Sequence, residues 1–143
     1  MKGKNENIGC QEIRGLNENH ERTISATLSL IEKDLILIEM YIKSTPCGRM
    51  YKVINKLTPA EERQVLSIIK ELKDCIREFA DFFNLQPLEE NISGIIQGNS
   101  AIYWANLCDM EPRKLKKYGQ VGTDVTDALS HFIERLKKLL NAF

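Results

Sequence analysis

Four carboxylates on one stretch are the first side chains in this sequence whose types and spacing could do chemistry. Glu71, Asp74, Glu78 and Asp81 stand at i, i+3, i+7 and i+10, which places all four on one stripe of an α-helix. Acidic pairs at such steps suit Mg2+, a hard cation that takes oxygen ligands, and would serve metal-assisted hydrolysis of a nucleotide. The same stretch carries an apolar seam of Val65, Ile68/Ile69, Leu72, Ile76, Phe79 and Phe83. At about 100° per residue the two stripes are centred roughly 140° apart, and Lys70, Lys73 and Arg77 lie at pairing distance from the acids. A solvated, ion-paired face accounts for this stripe better than a metal centre. A Mg-dependent hydrolase using Glu71, Asp74 and Glu78 is therefore the third reading.

The histidines do not build a metal site. Carboxylate-bridged di-metal centres in helical proteins need Glu-x-x-His on two helices, so that both ligands face inward. Here Asn17 and Ala128 occupy the positions three before His20 and His131. Cys10, Cys47, Cys75 and Cys108 contain no C-x-x-C pair and read as reduced thiols. No catalytic residue, metal or cofactor is expected.

The stretch from Asn91 to Cys108 is unusual because it holds no charged residue. A helix of this composition is covered nearly all round. Gly94, Gly98, Ala101 and Ala105 form a ridge of small residues, suited to close approach by another helix, within the chain or across a dimer seam. Asn99 and Asn106, seven residues apart, project into the middle of the Leu88, Ile92, Ile95, Ile102 face. A buried amide without a partner costs about 1–3 kcal/mol, so these two either fix register between helices or subunits or, with Tyr103, orient a small ligand. Register is the favoured reading. Trp104 projects away from this face as an anchor for a contact surface.

Leu115 to Thr123 joins a basic helix end, a Gly-rich turn and a helix start. Lys116, Lys117, Gly119 and Gly122 are the candidate anion-binding residues, since backbone N–H groups at such a turn can hold a phosphate. Over about a dozen residues the stretch resembles the helix-hairpin-helix DNA-binding element, with its Gly-hydrophobic-Gly core. Val121-Gly122 matches the second half of that core, and Gln120 stands where the first glycine belongs. Gly119 as a helix C-cap explains most of the same residues, and nucleic-acid binding is disfavoured.

The elements that must position these residues are helices. From Glu18 to Ser44, Ile24, Leu28, Ile31, Leu35, Ile38 and Ile42 recur at steps of 4 and 3, with a second stripe of Leu30, Leu37 and Tyr41. Pro46 ends this helix by disfavouring helical geometry at Thr45. Arg49–Leu57 is expected as a short amphipathic turn with Met50, Val53, Ile54 and Leu57 on one side. Thr58-Pro59-Ala60-Glu61 is a capping box with proline at the first helical position, and Asn84 with Pro87 closes the helix it opens. A third helix is expected over about Pro87–Met110, a short helical connector over Glu111–Tyr118, and a fourth long helix from Thr123. Val125, Leu129, Phe132, Leu136, Leu139/Leu140 and Phe143 carry the fourth seam.

These elements predict an all-α fold, an antiparallel up-down four-helix bundle over residues 18–143 with a polar N-terminal arm over 1–17. The 143 residues are enough for one sizeable core. Twenty basic against twenty acidic side chains argue against a general binder of nucleic acid or acidic membranes. With no long apolar run, a cytoplasmic protein without a membrane partner is expected. Positive charge nonetheless concentrates in two connectors, +4 over 43–56 and +4 over 112–123, against −6 over 57–111. In an up-down bundle both would lie at one end. The leading functional expectation is association, as a homo-oligomer (a dimer first) or an adaptor for another protein. The alternative is a bundle that binds a small molecule around Asn99 and Asn106.

Overall fold

The computed structural model describes residues 15–143, and everything regular in them is helical. Cys10 and most of the expected arm lie outside the described residues. Five α-helices follow in order: α1 Glu18–Ser44, α2 Pro59–Phe83, α3 Ile92–Asp109, the one-turn α4 Pro112–Leu115, and α5 Thr123–Asn141. A 3-10 turn, Lys116–Tyr118, links α4 towards α5. The chain divides into two compact units, Met1–Leu88 and Glu89–Phe143.

In the first unit α1 and α2 form a helical hairpin. Asn17 caps α1: its Oδ1 accepts from the His20 N–H at 2.9 Å, and His20 Nδ1 accepts from the Asn17 N–H at 3.2 Å. His20 is thereby the return arm of a capping box. Thr45 closes the helix in the left-handed region, φ +37°. At α2, Thr58 Oγ1 accepts from the Glu61 N–H and Glu61 Oε2 accepts from the Thr58 N–H, the reciprocal arrangement the sequence predicts. Asn84, φ +52°, closes α2, and the Leu85 N–H bonds back to the Ala80 carbonyl at 2.9 Å. Leu35 and Ile69 are buried where the helices meet. Glu32 lies beside Lys73 and Arg77, and Ser25 and Leu28 beside Ala80 and Leu85, so the two helices run antiparallel.

The connector between them corrects one expectation. Residues 49–57 form no amphipathic helical turn. Cys47 pairs with Lys52 in a single antiparallel bridge, and Val53 N–H bonds to the Pro46 carbonyl at 2.9 Å. Proline and glycine at 46 and 48 favour a tight reversal over a helical nucleus, and Pro59 holds Thr58 extended. Met50 is 91% exposed.

In the second unit α3 and α5 pack against each other, with α4 touching both. Asn91 caps α3 by accepting from the Ser93 N–H at 2.9 Å, so this helix starts later than Pro87. Leu107 and Ile133 are its buried hydrophobic residues, Ile133 only 1% exposed. Ile133 is absent from the seam expected for the fourth long helix. Leu129, Ile133 and Leu140 form the packed stripe, whereas Val125, Phe132, Leu136, Leu139 and Phe143 are exposed.

That division recurs on every long helix. On α1 Leu35 is buried while Leu30, Ile31, Leu37 and Ile38 are exposed; on α2 Ile69 is buried while Ile68, Leu72 and Phe79 are exposed. Each helix therefore carries one stripe used within its own unit and a second one left open.

Candidate functional site

Two places in the second unit bring chemistry-bearing side chains together. The first is built on Lys137, which is 7% exposed although it is charged. Its Nζ lies 2.9 Å from Glu111 Oε1 and 5.2 Å from the centre of the Trp104 ring. Glu111, at the start of α4, also accepts from Arg113 Nε at 3.0 Å. The Lys137 ammonium, and Arg113 after it, hold the Glu111 carboxyl below its usual range; Glu111 in turn raises Lys137, with the Cys108 thiol adding to the effect. A buried lysine is expensive unless paired, and this one has a carboxylate, a ring face and a thiol around it. A lysine held protonated in this way is a structural cation that ties α3, α4 and α5 together.

Sequence reasoning missed this cluster because its members are 26 residues apart and its charged residue sits on the packed stripe of α5. The available signal was Lys137 four residues after Ile133, on the same helix face. Trp104, expected as an interface anchor, lies in this cluster with about two thirds of its surface covered.

The second place is an open groove of about 370 Å³ between α3 and the C-terminal half of α5. Tyr103, Asn106, Leu107 and Met110 line it from α3, and Leu136, Leu139, Leu140 and Phe143 from α5 and its end. Two of the three candidate ligand residues, Tyr103 and Asn106, thus meet in one groove. Asn99 is not among its lining residues. Both Asn99 and Asn106 are exposed, and neither side chain has a hydrogen-bond partner among the described residues.

The remaining candidates stay apart. A Cβ at Gly94 or Gly98 would meet nothing within 4 Å, so no helix of the second unit closes on these two glycines of the Gly94, Gly98, Ala101, Ala105 ridge. Lys116 and Lys117 are exposed on the 3-10 turn, with Lys117 Nζ 5.1 Å from the centre of the Tyr118 ring. Gly119, φ +134°, ends that turn, a conformation only glycine adopts without strain. Gly122 is the N-cap of α5 and supplies no side-chain cap. On α2, Asp74 pairs with Arg77 at 3.2 Å, and among the described residues no three His, Cys, Asp or Glu side chains converge as metal ligands. Cys47, Cys75 and Cys108 are free thiols. No helix among the described residues is long and apolar enough to cross a membrane. No protein-family model, curated protein or solved structure matches the chain.

Proposed function

We propose that the protein works by association, completing its helical core against a partner as a homo-oligomer or an adaptor. One observation carries the reading: all four long helices keep a second apolar stripe exposed after packing within their own units. Exposed apolar patches on monomers rarely exceed a few hundred Å2, and larger ones mark contact surfaces. Each Ile, Leu or Phe buried in such a contact contributes roughly 1.5–3 kcal/mol. The expected assembly is a four-helix bundle in which such stripes from two chains form the inner faces. Sedimentation velocity over a hundredfold range of concentration tests the reading. A sedimentation coefficient that rises with concentration supports it, and a strict monomer throughout overturns it.

The groove at Tyr103 and Asn106 favours a second reading, a bundle that binds a small apolar molecule. Its volume is in the range of ligand sites, and a phenol and an amide beside an apolar wall are the usual means of orienting a ligand. Saturable binding of an apolar fluorescent probe, weakened about tenfold by Asn106→Leu, would support this. Unsaturable binding, indifferent to position 106, would count against it.

A further inference from the structure

We propose that the partner is a second copy of this chain, docked through α3 in parallel and in register, so that Asn99 meets Asn99 of the partner subunit and Asn106 meets Asn106 of the partner subunit. The proposal rests on the association reading above and names its occupant. Ile92, Ile95, Asn99, Ile102 and Asn106 follow one another at steps of 3, 4, 3 and 4, a heptad seam with asparagine at two equivalent positions. The structure adds that α5 does not use this seam. It packs on the adjoining face of α3, where Leu107 is buried and Ile96 and Ser100 are half-buried, while Ile92, Ile95 and Ile102 stay exposed.

The two amides select the occupant. Covered by a purely apolar stripe, each would lose water and gain nothing, at a cost of about 1–3 kcal/mol. Between Leu30 and Ile38 on α1, and along Val125, Phe132, Leu136 and Leu139 on α5, the open stripe contains no amide, and that of α2 (Ile68, Leu72, Phe79) has a single one, Gln64 at its start, against the two on α3 seven residues apart. An asparagine carries both donor and acceptor, so the group that satisfies it at the same level is another asparagine across a two-fold axis. Charge points the same way: α3 has no ionised side chain before Asp109, so two copies meet without desolvating or opposing charges.

The area also suffices. Asn106 lines the same groove as Leu136 and Leu139, which makes the α3 seam and the open stripe of α5 one continuous surface. At roughly 60–120 Å2 per large apolar side chain, the eight exposed ones on this surface offer about 500–1,000 Å2. A standard interface takes about 800 Å2 from each partner.

The test uses the full chain with Cys10, Cys47, Cys75 and Cys108 replaced by serine, carrying Asn99→Cys, Asn106→Cys or Ala101→Cys singly. Under mild oxidation the first two are expected to form disulfide-linked dimers in high yield, and Ala101→Cys, on the far side of α3, almost none. In parallel, Ile95→Lys with Ile102→Lys is expected to weaken self-association at least 100-fold in sedimentation while helical circular dichroism is retained. If cross-linking occurs at only one of 99 and 106, or preferentially at 101, the in-register pairing is overturned. If the double-lysine chain still associates as the parent does, the seam is elsewhere and the proposal falls while the association reading stands. A parent chain that never associates removes both.

Discussion

At the scale of single residues, two ion clusters hold the units and respond differently to pH. Glu39 on α1 bonds to Lys43 one turn on and to Lys73 across the hairpin. The two ammonium groups, Lys43 first, lower its carboxyl from 4.5 to about 2. A carboxylate depressed on folding adds stability above its unfolded value, so this contribution is complete above about pH 4.5 and disappears as pH falls towards 2. Thermal melts between pH 6 and 2 should therefore show the α1–α2 hairpin weakening in acid. Glu39→Gln should weaken the hairpin at pH 6 and flatten that acid limb; an unchanged limb would detach Glu39 from it. Lys137 titrates in the opposite sense. Its raised value keeps its contribution in place from neutral pH until the alkaline range, whereas its lowered partner Glu111 loses its share in acid. Lys137→Met keeps the packing volume but strips Glu111 of its main partner and the Trp104 ring of its cation. It should lower the melting temperature by several degrees and change the emission of this single tryptophan. An unaltered spectrum would contradict the placement of Lys137 over the ring.

Helix ends were the most legible elements in the sequence, because capping is local. Thr58, Pro59 and Glu61 lie within four residues of each other, and both reciprocal bonds are present in the structure. Pro46 and Asn84 likewise marked the ends of α1 and α2. What periodicity could not decide is which of two apolar stripes meets the neighbour in the same unit. Both repeat every three or four residues, and only the tertiary partner distinguishes them, so that Ile133 lies on the packed stripe while Phe132 and Leu136 stay open. The same limit applies to the candidate site: Tyr103 and Asn106 border one groove with α5, and no spacing rule excluded Asn99 from it. The caps make a paired prediction. Thr58→Ala removes one reciprocal bond and should cost about 1 kcal/mol. Thr45→Gly relieves a β-branched residue at φ +37° and should stabilise the hairpin by about 1 kcal/mol. Equilibrium urea unfolding measures both, and a Thr45→Gly chain less stable than the parent would mean that the turn needs the threonine side chain.

For the molecule as a whole, the deciding quantity is how little each unit buries alone. Among the described residues, Leu35 and Ile69 are the buried hydrophobic residues of the first unit, and Leu107 and Ile133 of the second. The half-buried positions add to this, but the open stripes remain the largest reserve of apolar surface in either unit. If association covers them, the folded state is linked to protein concentration, because a partner binds the native chain and not the unfolded one. The melting temperature should then rise steadily as the chain is concentrated from micromolar to hundreds of micromolar. Phe132→Ala, on the open stripe of α5, should lower the melt chiefly at high concentration, where the assembled form dominates. Ile133→Ala, one residue away on the packed stripe, should lower it at every concentration, by about 2–5 kcal/mol in stability. A melt independent of concentration, with Phe132→Ala silent throughout, would mean that the stripes are not covered by a partner and that the protein does not work by association.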